Sequence, residues 1–349
     1  MSYKLSIGIV GLPNVGKSTL FKALTQNDIL IANYPFATID PNVGIVPVPD
    51  ERLDVLFDLS KSAKKIPAVV EFYDIAGLVK GASQGQGLGN QFLSHIRDTD
   101  AIVQVVRCFG QGDIIHVDQT VDPIRDIDTI NTELVLRDLD TVQKRVGKLE
   151  GEARTGDKHK IKELELIKHL ETFLQNGTPL YMLEKDIIED SAVRSLNLLT
   201  AKTQIFLLNG AGGDISDALK EKIQKELKSD FVVCDLGAEI DLSPLIKKAY
   251  SVLNLISFFT TGEDETRAWT IMNGWKAPQA AGTIHTDFEQ KFIRAEVVFW
   301  KDLVDSSGAH STGSGQQNCW VQAKQKGLLR LEGKEYVVKD GDVMVIRHG

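Results

Sequence analysis

The sequence predicts an α/β fold in three parts: a parallel-sheet domain, an antiparallel helical arm inserted into it, and a small strand-rich module at the C-terminal end. Three observations carry that prediction. Residues 11–18 read Gly-Leu-Pro-Asn-Val-Gly-Lys-Ser, between a short apolar run, Leu5–Val10, and Thr19–Leu24, whose apolar residues are spaced as in a helix. Val135, Leu139, Val142, Val146 and Leu149 alternate steps of four and three, the seam of paired helices. From Leu255 onward, strand-like runs are separated by Gly-bearing turns.

The first element sets the class. A buried strand, a glycine-bearing loop and a helix form the context in which Gly-x-x-x-x-Gly-Lys-Ser acts as a phosphate-binding loop, so the first domain is predicted to be a P-loop NTPase. Gly11 and Gly16 free the backbone to turn successive N–H groups inward, and the helix N-terminus adds partial positive charge. Asn14, Val15, Gly16, Lys17, Ser18 and Thr19 are the predicted phosphate contacts. Lys17 would reach the β- and γ-phosphates, and the Ser18 hydroxyl would ligate Mg²⁺.

Two further elements should follow, and both are present in order. Thr38, in Tyr34-Pro-Phe-Ala-Thr38, sits in a turn-rich segment and would complete the Mg²⁺ shell. The strand-like run Pro67–Tyr73 delivers Asp74-Ile-Ala-Gly77, where Asp74 would hold the metal through water and the Gly77 N–H would bond the γ-phosphate. The glycine-rich segment 81–89 behind it suits a phosphate-sensing switch. The position that in familiar GTPases carries a water-orienting Gln is Leu78, which forms no hydrogen bond. Hydrolysis is therefore expected to be slow or to use another group. Gln84 and Gln86 are candidates, and His116 is the better one, because imidazole orients water or moves protons near neutral pH. Asn14 adds the option of a K⁺ ion beside the phosphates.

The base site departs from the usual Asn-Lys-x-Asp. The strand-like run Thr203–Leu208 ends in Asn209-Gly-Ala-Gly212, which keeps the Asn and lacks both the Lys and the carboxylate. Without that carboxylate the main source of guanine selectivity is missing, so ATP, or relaxed purine use, is expected over strict GTP. Asp214 lies two residues farther along and is the group through which a GTPase reading would work.

These residues together resemble the YchF subfamily of Obg-like ATPases. The resemblance rests on Gly11–Thr19, Asn33–Thr38, Asp74–Ala82, Val105–Phe109, Arg267–Thr270 and Ala277–Phe288, and it covers essentially the whole chain. It implies an Obg-type G domain, a helical insertion and a C-terminal TGS domain. It also implies a cytoplasmic ATPase that binds the ribosome, at the large subunit and its rRNA. It assigns hydrolysis to a His at the position of His116 and expects a hydrophobic residue at Leu78. The family's base motif is Asn-x-x-Glu; here Gly212 stands in place of Glu.

Length and composition agree with this organisation. At 349 residues, 42% hydrophobic and 25% charged, the chain is long enough for two or three domains. A net charge of −8 argues against a broadly basic nucleic-acid binder. No stretch reaches the length of a membrane span, the first strand starts almost at once, and Cys108, Cys234 and Cys319 form no CxxC pair. Free thiols and a soluble, cytoplasmic protein without a membrane partner are expected.

The expected boundaries are 1–122 and 203–253 for the nucleotide domain, 123–202 for the coiled-coil insertion and 254–349 for a β-grasp (TGS) domain. Leu164, Ile167, Leu170 and Leu174 answer the first helical stripe across a turn-like Gly151–Gly156 region. Leu242–Leu253 reads as a helix, Leu255–Thr260 and Thr266–Ile271 as paired strands, and Tyr336–Ile346 as strand, Asp340-Gly341 turn and strand. A short helix is expected near Asp287–Ile293, and 306–317 reads as a flexible loop. Lys291, Arg294, Lys324, Lys326 and Arg330 are candidates for a basic patch. The functional expectation is a slow, Mg²⁺-dependent purine-nucleoside triphosphatase. The alternatives are a GTPase of the same class and a nucleotide-gated binding module in which hydrolysis is incidental.

Overall fold

The computed structural model describes residues 6–25, 42–75, 96–97, 99–110, 120–238, 241–307 and 315–349. Thr38, Gly77, Leu78, Gln84, Gln86 and His116 lie outside them. In chain order the strands are β1 (Ser6–Val10), β2 (Val43–Pro47), β3 (Lys64–Ile66), β4 (Val69–Asp74), β5 (Ala101–Arg107), β6 (Thr203–Asn209) and β7 (Asp230–Cys234). They are followed by β8 (Leu255–Thr261), β9 (Glu265–Met272), β10 (Phe292–Phe299), β11 (Arg330–Glu332) and β12 (Asp342–His348).

Every residue of β1 and of β5 is buried, as expected of strands covered on both faces of a parallel sheet. The first sheet has the order β2-β4-β1-β5-β6-β7, with β2 antiparallel to β4 and every other pair parallel. The connection leaving β1 runs to one side of the sheet and that leaving β5 to the other, so their carboxyl ends form the switch point at which ligands bind in open α/β sheets. Helices α1 (Lys17–Thr25) and α2 (Glu51–Ser60) contribute Leu20, Leu24, Leu53 and Leu56 to the main core.

The arm is helix α3 (Pro123–Ala153) and helix α4 (Lys158–Gln175). Asp122 caps α3 by accepting the Arg125 N–H, and Pro123 occupies the first turn, where its missing N–H costs nothing. Both predicted stripes meet in one apolar cluster, from Val135, Val142, Val146 and Leu149 to Ile167, Leu170 and Leu174. The turn is shorter than expected: Gly151 remains helical, and the chain reverses at Arg154–Asp157 with Gly156 at φ +79°. At the arm's base the Asp138 carboxylate is fully buried. It accepts hydrogen bonds from Leu199 N (2.8 Å), Thr200 N (2.7 Å) and Thr200 Oγ1 (2.7 Å), which fixes the returning chain. No helix among the described residues is long and apolar enough to cross a membrane.

The second sheet has the order β11-β10-β12-β8-β9-β3, with β12 parallel to β8 at its centre. Parallel first and last strands flanked by hairpins, with helix α6 (Ala277–Ile284) buried against one face, make the C-terminal module a β-grasp. Helix α5 (Ser243–Val252) leads into it. Sequence reasoning missed α6. It also left β10 unassigned and read 306–317 as a loop, whereas Gly315 already begins a helix, α7 (Gly315–Gln325). The run before the Asp340-Gly341 turn is not a strand either, because only Val337 makes a bridge, to Lys276.

The strand β3 lies inside the span expected for the nucleotide domain, yet it pairs in parallel with β9 at Glu265–Arg267 and is the outermost strand of the second sheet. Hydroxyl contacts reinforce the junction: Ser62 Oγ donates to Gly262 O (2.5 Å) and meets Thr266 Oγ1 (2.7 Å), and Thr261 Oγ1 donates to Ser60 Oγ (2.6 Å). Arg52 completes it. Its guanidinium donates to Asp340 Oδ2 (2.7 Å) and Oδ1 (3.2 Å), to both oxygens of the α2 cap Asp50, and lies 5.2 Å from the centre of the Phe259 ring. Replacing Arg52 by Ala is expected to lower unfolding free energy by about 1–2 kcal/mol, since Asp50 and Asp340 lose their shared partner. Urea denaturation checks this, and a change inside ~0.3 kcal/mol would mean that the bridge contributes nothing.

Candidate nucleotide site

The loop Gly11–Gly16 leaves the carboxyl end of β1, where Ile9 is level with Asp74 on β4 and Val10 with Gln104 on β5. The register thus brings the phosphate loop and Asp74 together from a sequence separation of about sixty residues. Asn14 takes φ 62°, a left-handed conformation that Asn tolerates better than most side chains. Gly16 has φ +108°, and a Cβ there would stand 2.6 Å from Asn209 Nδ2 and 3.0 Å from Leu236 Cδ1. No larger residue fits. A Cβ on Gly11 would meet Val105 O at 2.7 Å. Both motif glycines are therefore demanded by close approach.

Lys17 is buried, and its Nζ donates to Gly11 O (3.0 Å) and Leu12 O (2.7 Å), curling over its own loop. Burial lowers its pKa to about 8, and the nearby Asp74 charge opposes that shift. Burial pushes the Asp74 carboxyl up, while Lys17 pulls it down. Ser18 and Thr19 start α1 with exposed side chains. Among the described residues no group of three or more His, Cys, Asp or Glu could hold an ion. The available donors are the Ser18 hydroxyl and the Asp74 carboxylate, hard oxygens that fit Mg²⁺ shared with phosphates.

Asn209 ends β6, level with Arg107 on β5 and Cys234 on β7. It is expected to bond the base, and its buried amide also ties three loops: Nδ2 donates to Val15 O (2.9 Å), and Oδ1 accepts from Leu236 N (3.0 Å). One amide hydrogen remains for a ligand. The Gly212 and Gly213 positions face open space. Asp214 does bend back, but onto its own loop, where Oδ2 accepts the Ala211 N–H at 2.9 Å. Cys108 is buried, and burial, followed by the charges of Asp214 and Asp126, pushes its thiol up to about 12. Sequence reasoning gave no role to Arg107. This guanidinium is 1% exposed, donates from Nε to Phe109 O (3.2 Å) and lies 4.5 Å from the Phe109 ring centre, a fixed positive charge at the carboxyl edge of the sheet. An Arg ending an otherwise mostly apolar strand was the signal for it.

Two outcomes follow from this geometry. Asn209→Ala would leave Val15 O and Leu236 N without their partner, a cost of about 1–3 kcal/mol at the loop that shapes the site. Triphosphate affinity is expected to fall tenfold or more by calorimetry, and a change under twofold would reject the tie as a determinant. Lys17 supplies the second outcome. Its folded pKa lies below the unfolded value, so the nucleotide-free protein gains stability as pH rises from about 8 towards 10.5. A bound phosphate needs the charged ammonium, so above pH 8 binding must take up a proton. Calorimetry in two buffers at about pH 9 should give uptake approaching one proton per nucleotide, falling towards zero at about pH 7. Zero uptake at both would contradict the depressed pKa.

Comparison with known proteins places these features. A family model described as a 50S ribosome-binding GTPase matches residues 6–138, and the model YchF-GTPase_C, described as a protein of unknown function, matches residues 255–349. The Bacillus subtilis protein named ribosome-binding ATPase YchF is 45% identical over 98% of this chain and 99% of its own length. The Haemophilus influenzae protein of the same name is 44% identical over 97% and 98%. The solved structure of the Schizosaccharomyces pombe YchF GTPase is 38% identical, with a TM-score of 0.83, covering 99% of this chain and 98% of that one.

Proposed function

The chain belongs to the YchF family, and from that membership we propose that it is a cytoplasmic, Mg²⁺-dependent P-loop nucleoside triphosphatase. In this reading it prefers ATP and binds the ribosome, at the large subunit and its rRNA, according to nucleotide state. The observation that carries the reading is the loop Gly11–Ser18, seated on the carboxyl end of β1 with Lys17 and Asp74 close enough to shift each other's titration. Relatives named as ribosome-binding ATPases support ATP as the nucleotide and the ribosome as the partner.

Mg²⁺, held by Ser18, Asp74 and Thr38, would neutralise charge on the phosphates and leaving group. The chain's own groups do the positioning. Lys17 exchanges its two loop carbonyls for phosphate oxygens, a trade of neutral acceptors for charged ones that favours the bound state. Asn14 through Thr19 present the loop N–H groups, and Gly77 is assigned the γ-phosphate. Leu78 cannot orient water, so that task falls to His116, with K⁺ beside Asn14 as the candidate charge stabiliser. At the base, Asn209 offers its remaining N–H, and Gly212 supplies no carboxylate to select guanine.

Leu78 also favours a second reading, a nucleotide-gated binding module in which turnover is incidental. One set of measurements separates the readings. Calorimetric titration with Mg-ATP and Mg-GTP should give ATP binding tighter by tenfold or more (~1.4 kcal/mol), and equal or tighter GTP binding would remove the ATPase assignment. His116→Ala should lose most of its turnover while keeping ATP affinity within twofold. Co-sedimentation with ribosomes that still follows nucleotide exchange in that variant would favour the gated module. Equal rates in KCl and NaCl would eliminate the K⁺ role.

A further inference from the structure

We propose that a groove on the outer face of the β-grasp sheet is a docking site for an extended acidic and apolar peptide segment of a partner protein, a function beyond the nucleotide reading and independent of it. The groove, about 620 Å³, runs between α7 and the strands β10, β11 and β12. That is within the roughly 300–1,000 Å³ range of ligand clefts. Its apolar lining includes Trp320, Leu329 and Val345, with Val321 52% and Leu331 62% exposed. Large aliphatic side chains left open beside one another mark an interaction surface more than a solvated one.

Charge selects the partner. Arg347 is neutralised by Glu296 at 3.1 Å. Arg294 and Lys324 line the same groove, and among the described residues neither side chain makes an ion pair or hydrogen bond. Two uncompensated cations over an aliphatic floor complement a segment that alternates carboxylates with apolar side chains. Nucleic acid fits less well: single strands stack on aromatic platforms, whereas this floor holds one Trp among aliphatics and carries the Glu296 carboxylate. The backbone supplies a third feature. β11 ends the sheet order, pairing with β10 through Glu296↔Leu331, and its outer edge pairs with no described strand. A peptide added to that edge would direct alternate side chains over Leu331 into the groove.

The test uses the full chain and fluorescein-labelled probes read by anisotropy: a short peptide alternating Asp with Leu, the same peptide with Lys for Asp, and an oligouridine. The acidic peptide should saturate, and Arg294→Glu, Lys324→Glu and Leu331→Asp should each weaken it fivefold or more. All three positions are remote from the nucleotide loop in sequence and strand order, so ATP affinity should not change, which also verifies folding. The proposal is overturned if the acidic peptide binds no better than the basic one, or if the three variants leave its affinity intact. It is equally overturned if oligouridine proves to be the probe that saturates and responds to them. A chain that fails to bind ATP and still discriminates the peptides would leave this site standing while sinking the nucleotide reading.

Discussion

Three loops leave the carboxyl edge of the first sheet, after β1, β6 and β7, and one buried amide holds them in a common frame. Asn209 gives a hydrogen to Val15 in the phosphate loop and takes one from Leu236 beyond β7. Away from water such bonds are strengthened by the low local dielectric, and losing either partner leaves a buried polar group exposed to the full desolvation cost. The rest of the site is arranged around this contact. Gly16 must lack a side chain because the amide passes over it, and that same glycine supplies the bend from which α1 starts. Lys17 follows directly and folds over the carbonyls of Gly11 and Leu12. The residue that the motif assigns to the base is also a brace for the Gly11–Gly16 loop.

The second organising contact lies between the two sheets. From β2 to β4 the chain leaves the first sheet, builds α2, gives three residues to the second sheet as β3, and returns to end at Asp74. Only Pro67 and Ala68 separate β3 from β4. The strand that ends at Asp74 is thus nearly continuous with one hydrogen-bonded into the β-grasp. Arg52 and the hydroxyls of Ser60, Ser62, Thr261 and Thr266 fasten the same stretch. The link between β4 and the C-terminal module is thus covalent backbone as well as side-chain contact.

What could be read from the sequence was what local pattern determines. The phosphate loop was legible because its spacing and its strand and helix flanks are contiguous. The arm was legible because its stripes repeat over many turns and Asp122-Pro123 marks where it begins. β3 was not legible: Lys-Lys-Ile is too short and too charged to read as a strand, and its partner lies some two hundred residues away. α6 carries Ala-Pro-Gln-Ala-Ala-Gly, small residues chosen for close packing against the sheet, and these give little periodic contrast. Gly151 reads as a breaker but costs only about 1 kcal/mol inside a helix, less than the packed stripe around it provides. The two hydrogen bonds of the Asn209 amide depend on two loops that only tertiary structure brings together. Thr38, Gly77 and His116 remain assignments from motif and resemblance.

The borrowed strand β3 also changes what the C-terminal module is. Its family model begins at residue 255, which suggests a part that could be excised and expressed alone. Cut there, β9 would present a bare row of backbone donors and acceptors where β3 now lies, with Arg267 and Glu265 as its main charged guards. Thr261 and Thr266 would lose their seryl partners, and Asp340 its guanidinium. An unprotected edge of that kind is a template for self-association. The segment 60–66 is therefore an intramolecular cover for the first three residues of the β9 edge, supplied from the other domain's stretch of sequence.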